Sequence, residues 1–185
     1  MVQVHGQQHY QCTTCNTFEF KSDIRHSQIP ILPQGKPTEF QCPKCVLPLE
    51  VGLIHENMQV CFCNNCRGFV TPNESLGYLI NDLRSSYSGP DDQPVPIDPN
   101  ELENFPNCPA CWEKMDSHPY YGPGNVVLNT CGHCQLAWLD HGELEKIVRA
   151  PGPRPNQKPT GNFESDALRD QFRAQAESGN INLFF

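Results

Sequence analysis

Apolar residues recur with a helical period at two places in the chain. In 76–83, leucine and isoleucine occupy positions i, i+3, i+4 and i+7, which lie on one face of a helix. The stretch 144–148 repeats the first three of these positions with leucine, isoleucine and valine. The pattern therefore predicts two short amphipathic helices.

Helix-start signals precede both stretches. Thr71 is the predicted N-cap of the first helix, with Pro72 at the first helical position and Glu74 at the capping-box position. Asp140 and Glu143 are the predicted capping box of the second helix.

Short apolar segments precede each helix. The segments "GLIHENMQVCF" (52–62) and "GNVVLN" (124–129) have strand-like composition with polar turns, and Leu136–Leu139 is a further strand segment. Each half of the chain is thus predicted to be a hairpin, a short strand and a helix.

Cysteines bracket the predicted hairpins. Ten of the 11 cysteines form CxxC pairs, and Cys61 is left over. The pairs are Cys12/Cys15, Cys42/Cys45, Cys63/Cys66, Cys108/Cys111 and Cys131/Cys134. A CxxC turn presents two thiolates to one ion, and a second turn completes a tetrahedral zinc site. The separations between Cys45 and Cys63 and between Cys111 and Cys131 fit the four-cysteine zinc pattern.

The two cysteine quartets belong to an internal repeat. "CPKC" at 42 aligns with "CPAC" at 108, and "CNNCRGFVTPNESLGYLI" at 63 aligns with "CGHCQLAWLDHGELEKIV" at 131. The dithiol "CGHC" alone is also typical of disulfide-exchange enzymes. A strand follows it here rather than a long helix, so we interpret Cys131 and Cys134 as half of a zinc site, with His133 facing solvent.

The remaining cysteines leave three alternatives open. In the first, Cys12, Cys15 and Cys61 form a third metal site with one of four histidines: His5, His9, His26 or His55. In the second, Cys12/Cys15 pairs with Cys42/Cys45, which leaves Cys61, Cys63 and Cys66 to find a fourth ligand. In the third, Cys12 and Cys15 are a pair of reduced thiols without metal.

Composition limits the class of protein. The chain has 185 residues, 37% of them hydrophobic, with 18 Pro and 13 Gly, so small metal-stabilised units are favoured over one large core. The polar N-terminal stretch 1–10 lacks the pattern of a secretory signal, and the odd cysteine count disfavours an extracellular disulfide framework. We therefore expect a cytoplasmic protein without a membrane span.

Charge disfavours contact with nucleic acid. The formal net charge is -8. Each site of four thiolates and one Zn²⁺ adds a charge of -2, so two sites bring the balance to about -12. A nucleic-acid binder is usually basic, so such a role would need a local basic face.

Two proline-rich stretches divide the chain. The stretch 85–106 is acidic, and 150–161 is rich in Pro and Gly; both are predicted to be spacers. The segment 163–178 has helical apolar spacing, and the residues after it are strongly apolar. The predicted organisation is an N-terminal CxxC segment (1–38), a first ribbon (39–84), a linker (85–106), a second ribbon (107–149), a linker (150–161) and a helical tail (162–185).

At these residues the chain resembles the transcription factor IIB-type zinc-finger family of small zinc ribbons. "CPAC…CGHCQLAWLDHGEL" matches the family pattern closely over 108–148, and 42–83 resembles it as a more distant copy. The resemblance implies a small metal-stabilised β-rich fold of tandem zinc ribbons, each followed by a short helix. We call each CxxC turn a knuckle. The family usually has Gly after the second cysteine of a knuckle, where this chain has Val46, Arg67, Trp112 and Gln135.

These features favour a binding protein over an enzyme. Four thiolates leave zinc no open position for water, and the sequence has no P-loop or dinucleotide fingerprint. We expect two zinc ions, with a third in the N-terminal segment as an alternative, and a protein partner bound through 163–185 and the ribbon surfaces. The rival hypotheses are a nucleic-acid-binding or transcription-related zinc finger and a rubredoxin-like iron protein that transfers electrons.

Overall fold

A computed structural model describes most of the region that carries the two ribbons. The described residues are 2–3, 9–14, 18–20, 29–55 and 58–155. The predicted C-terminal helix and apolar tail (162–185) lie outside them.

A small sheet forms at the N-terminus. Its three antiparallel strands are β1 (Val2–Gln3), β2 (His9–Gln11) and β3 (Phe18–Phe20), in that order. Cys12 follows β2 directly, and Cys15 lies outside the described residues. The structure thus places the first cysteine of the N-terminal CxxC motif next to β2.

The two predicted ribbons form one antiparallel sheet of seven strands. The strand order is β4-β5-β6-β7-β10-β9-β8. The strands are β4 (Ile31–Gln41), β5 (Pro48–Ile54), β6 (Met58–Phe62), β7 (Phe69–Pro72), β8 (Asp116–Pro119), β9 (Val127–Cys131) and β10 (Leu136–Leu139). The helices are α1 (Asn73–Ser86), α2 (Pro99–Leu102) and α3 (Glu143–Arg149).

The ribbons meet where β7 pairs with β10. Leu136 lies opposite Pro72, and Leu139 lies opposite Phe69. Phe69, Val70 and Thr71 are all buried, because β7 is a central strand covered on both faces. The proline-rich stretch 85–106 predicts separate ribbons joined by a spacer, whereas the structure joins the ribbons through backbone hydrogen bonds between β7 and β10.

Each face of the sheet has its own apolar cluster. The first cluster packs α1 and α3 against residues such as Phe62, Phe69 and Leu139. The second contains the knuckle cysteines together with Leu49, Val70, Met115 and Trp138. Both clusters draw residues from both halves of the chain, so the two ribbons share their core.

The observed helix starts differ in part from the predicted ones. α1 begins at Asn73, and Thr71 is a buried β7 residue whose hydroxyl has no hydrogen-bond partner, so the prediction of Thr71 as N-cap is wrong. Pairing of Thr71 with Ala137 keeps it in the sheet. In α3, the Glu143 carboxylate accepts from the Asp140 N–H at 2.6 Å, which is one half of the predicted capping box.

The C-terminal ends of α1 and α3 are joined by a buried arginine. Arg84 of α1 is only 3% exposed and donates to the carbonyl oxygens of Ile147 (2.5 Å) and Ala150 (3.1 Å). It therefore satisfies carbonyl groups at the end of α3 that have no partner within the helix.

The stretch predicted as the first linker contains ordered contacts. Asp98 caps α2 by accepting from the Asn100 N–H at 3.0 Å. The Asp92 N–H donates to the Arg149 carbonyl at 2.9 Å, and Arg154 pairs with Asp91. These contacts fasten the chain after α1 to the chain after α3.

Candidate metal centres

The first four-cysteine group is built by two turns of the first ribbon. Cys42 and Cys45 lie in the turn between β4 and β5, and Cys63 and Cys66 lie in the turn between β6 and β7. In each turn the N–H of the residue after the second cysteine donates to the carbonyl of the first, at 2.9 Å from Val46 and 2.8 Å from Arg67. These hydrogen bonds hold each pair of sulfurs on the inside of a tight knuckle.

The four sulfurs converge. Their Sγ atoms all lie within 4.8 Å of one another, and the Sγ atoms of Cys42 and Cys66 are 3.5 Å apart. The Cys45 N–H donates to Cys42 Sγ at 3.3 Å, and the Asn65 amide donates to Cys45 Sγ at 3.2 Å. Such donors stabilise sulfur in its thiolate form.

The second group has the same construction. Cys108 and Cys111 lie in the turn before β8, while Cys131 ends β9 and Cys134 lies before β10. Their Sγ atoms also lie within 4.8 Å of one another, with 3.8 Å between Cys111 and Cys131. The Cys134 N–H donates to Cys131 Sγ at 3.4 Å, which repeats the contact seen at Cys42.

Both groups fit a tetrahedral zinc ion. A Zn–S bond of about 2.3 Å places the sulfurs of a tetrahedron about 3.8 Å apart. The Sγ–Sγ separations of 3.5 Å between Cys42 and Cys66 and 3.8 Å between Cys111 and Cys131 agree with that geometry. Four thiolate ligands complete the coordination shell, which is the arrangement of structural zinc sites.

The thiols of the first group change one another's protonation. Hydrogen bonds from the neighbouring thiols, Cys42 first, lower the pKa of Cys63, whereas the contact with Cys42 and the others raises the pKa of Cys66. Thiols packed this closely share protons, so they do not all ionise together. A divalent cation is the partner that stabilises four thiolates at once.

The residue that ends each knuckle has a left-handed backbone. Val46, Arg67, Trp112 and Gln135 have φ of +55°, +59°, +64° and +55°. This is the position where the resembled family usually has Gly. A left-handed conformation costs a non-glycine residue about 1–2 kcal/mol, and it is most unusual for a β-branched residue such as Val46.

The two centres are connected by contacts that the repeat does not duplicate. Lys44, inside the first knuckle, donates to Asp140 Oδ2 at 2.6 Å, and the Trp138 indole N–H donates to Asp140 Oδ1 at 2.9 Å. The Asp140 carboxylate raises the pKa of Lys44 against the opposing effect of its burial. The Gln41 N–H also donates to the Pro109 carbonyl at 3.1 Å, which joins the first knuckles of the two ribbons.

Sequence reasoning missed these cross-ribbon contacts. In the aligned repeat, Pro72 stands where the second ribbon has Asp140, and Ala110 stands where the first has Lys44. This difference between the two copies was the one feature of the sequence that could have indicated the contact. Each copy has one charged residue at a position where the other copy has an uncharged one.

The predicted third site is not assembled by the described residues. Cys61 lies half-buried in β6, opposite Val70, and belongs to neither four-cysteine group; burial raises its pKa. His55 contacts Asp82 at 2.8 Å. Because Cys15, His5 and His26 lie outside the described residues, a site with Cys12, Cys15 and Cys61 stays a prediction. His133 is exposed, as expected of a knuckle residue.

Paired hairpins that carry two closed four-cysteine centres define a tandem zinc-ribbon protein. Residues 107–150 match the transcription factor zinc-finger family, whose zinc ribbon is of the transcription factor IIB type, so the resemblance of the second ribbon is confirmed. The cluster at 42–66 suggests a second ribbon, and the two groups together fit two zinc ions. No curated protein and no solved structure matches the chain. Among the described residues, no helix has the length and apolar character needed to cross a membrane.

Proposed function

We propose that the protein is a non-enzymatic zinc-binding adaptor that presents its ribbons to a protein partner. The observation that supports this most is the joining of two closed four-cysteine centres in one sheet. A zinc ion with four protein thiolates has no position for a substrate or a water molecule, so its contribution is structural. A rigid sheet with zinc-held turns is suited to hold surface residues in a fixed arrangement.

Two further features favour a protein partner. Trp112, Val46 and Leu47 are large apolar side chains on the first knuckles, and they are 40%, 61% and 48% exposed. The segment 163–185 carries four of the chain's ten phenylalanines. We propose this segment as a second docking element, helical over part of 163–178.

Nucleic-acid binding is the first rival. The family name refers to transcription, and a fold alone does not determine function. Several basic residues of the ribbons are committed within the protein: Lys44 pairs with Asp140, Arg84 is buried, and Lys114 donates to the Phe105 carbonyl. Together with the formal charge of -8, this favours the adaptor.

Iron-based electron transfer is the second rival, because four thiolates also bind iron. Metal analysis and the visible spectrum separate the two: ferric thiolate absorbs visible light, whereas zinc thiolate does not. We expect two zinc ions per chain and no visible band.

A capture experiment tests the adaptor. The zinc-loaded chain would be immobilised, and the proteins retained from a nuclease-treated lysate compared with those retained by a chain lacking 162–185. We expect retention of a defined protein that weakens without the segment, and weakens about tenfold or more with Leu183→Ala plus Phe184→Ala. A protein that is retained from untreated lysate but not from the nuclease-treated lysate would favour the first rival instead.

A further inference from the structure

The first knuckles of the two ribbons lie side by side. One backbone hydrogen bond connects them: the Gln41 N–H, next to Cys42, donates to the Pro109 carbonyl at 3.1 Å. Pro109 is part of the second ribbon's first knuckle. Although β4 and β8 are opposite edges of the sheet, this bond brings the two knuckles into contact.

Each of these knuckles ends in an exposed apolar residue in a left-handed conformation. Val46 has φ +55° and is 61% exposed, and Trp112 has φ +64° and is 40% exposed. Each residue keeps 40% or more of its surface exposed despite its strained backbone. We use the term knuckle surface for Val46, Leu47 and Trp112.

The second knuckles provide a contrast within the same chain. They place Arg67 and Gln135 at the equivalent left-handed positions. The left-handed turn therefore has no requirement for an apolar residue. Strained positions occupied by exposed apolar residues are typical of binding surfaces, where selection for contact outweighs stability.

The surroundings of the knuckle surface are acidic. Glu39, Glu103, Glu113 and Asp116 are exposed on the segments that flank it. Lys44 is paired with Asp140, and the exposed Lys114, which donates to the Phe105 carbonyl, is outnumbered by these carboxylates. Two zinc centres, each with a charge of -2, add to the negative potential. This charge favours a cationic partner, and an exposed indole attracts a cation to its face.

We propose that the knuckle surface docks a basic peptide segment of another protein that carries an aliphatic or aromatic anchor among Lys and Arg residues. This inference rests on the adaptor function and names the surface and the chemistry of the partner. The apolar anchor would contact Val46, Leu47 and Trp112, and the basic residues would face the flanking carboxylates.

A random-peptide library displayed on phage and selected on the full-length, zinc-loaded chain tests the proposal. We expect selected peptides to be basic and to contain at least one large apolar residue. Their affinity should fall about tenfold for Val46→Gly plus Trp112→Gly. Gly relieves the left-handed strain and so offsets part of the burial lost with the two side chains, and the same variant should retain zinc.

The matched control is Gln135→Gly, which relieves the same strain on a second knuckle. It should leave peptide affinity unchanged. A second variant changes charge and keeps the left-handed residues themselves: Glu39→Arg plus Glu113→Arg should also weaken the binding of basic peptides about tenfold. If the double-glycine variant releases zinc, the charge variant alone tests the proposal, and its peptide affinity should still fall.

Several outcomes would overturn the proposal. Selected peptides that lack basic residues, or that bind both variants as tightly as the unaltered chain, would exclude this surface but leave the capture test of the adaptor standing. Sedimentation that reveals self-association lost in the double-glycine variant would identify a second copy as the occupant. Binding of single-stranded DNA that is lost in the same variant would assign the surface to nucleic acid.

Discussion

Trp138 is the residue through which the two zinc centres are predicted to depend on each other. It is 0% exposed and lies in the apolar cluster that contains cysteines of both centres. A Cβ on Gly68 would approach the indole to 2.4 Å, so the first ribbon closes directly over the ring. Trp138→Ala would open a cavity at this junction and remove the hydrogen bond to Asp140.

The size of the effect follows from the buried area. A buried indole covers about 150–250 Å², which at about 25 cal/mol per Å² corresponds to about 4–6 kcal/mol. Truncations of buried tryptophan cost about 3–5 kcal/mol. Since zinc binding is coupled to folding, a loss of about 4 kcal/mol weakens the product of the two zinc-binding constants about a thousandfold.

Competition with a chromophoric chelator measures that product. The control is Trp112→Ala, because Trp112 is the chain's other tryptophan and is 40% exposed. The Trp112→Ala substitution should change the product of the two zinc-binding constants little. Hydrogen exchange then locates the damage, and we expect loss of protection in β6 as well as in β9. Protection lost only in β8, β9 and β10 would refute the coupling, because the first ribbon would then be independent of Trp138.

Three further predictions concern the contacts around this junction. Arg84→Met should lower the unfolding free energy by about 3 kcal/mol, because it leaves the buried carbonyls at the end of α3 without a donor. Thermal unfolding would measure this loss, and an unchanged unfolding temperature would contradict it. A double-mutant cycle of Lys44→Met and Asp140→Asn should give a coupling energy of about 1 kcal/mol. The value is modest because both side chains are partly exposed. A coupling energy near zero would show that the pair does not stabilise the protein. Burial, and to a smaller extent the Asp140 charge, raises the pKa of Glu143 from 4.5 to about 8. Ionisation of Glu143 therefore opposes folding, and the free energy of unfolding should fall as the pH rises from 4.5 to about 8. Glu143→Gln should flatten this decline relative to the unaltered chain, and parallel profiles of unfolding temperature against pH would contradict the assignment.

Local chemistry explains which features the sequence was able to predict. The CxxC spacing is a property of a few consecutive residues, and it led to the two cysteine groups that the structure brings together. The helical period at 76–83 likewise predicted the buried face of α1. Both signals depend on contacts within one hairpin or one helix, so they survive without knowledge of the rest of the fold.

The features that sequence reasoning missed depend on residues far apart in the chain. Lys44 and Asp140 are separated by 96 positions, and Arg84 reaches Ile147 across 63. Thr71 resembled an N-cap because Pro72 and Glu74 follow it, but pairing of β7 with β10 keeps it in the sheet. Tertiary pairing here overrides a local signal, because the sheet hydrogen bonds and the burial of both faces of β7 contribute more than one cap.

The junction also explains how a ribbon of such small size is stabilised in this chain. Residues 107–150 match the family by themselves, yet their strand β10 has β9 on one side and β7 of the other ribbon on the other side. Without the first ribbon, β10 would be an edge strand with unpaired backbone groups. Ala137 and Leu139, which are 1% and 0% exposed, would also lose the cluster residues contributed by α1 and β7. Zinc fixes the knuckles locally, and the second copy covers the remaining edge and apolar faces. The two ribbons thus form one folding unit with two metal centres. Lys44 of the first ribbon and Asp140 of the second form an ion pair across their shared interface.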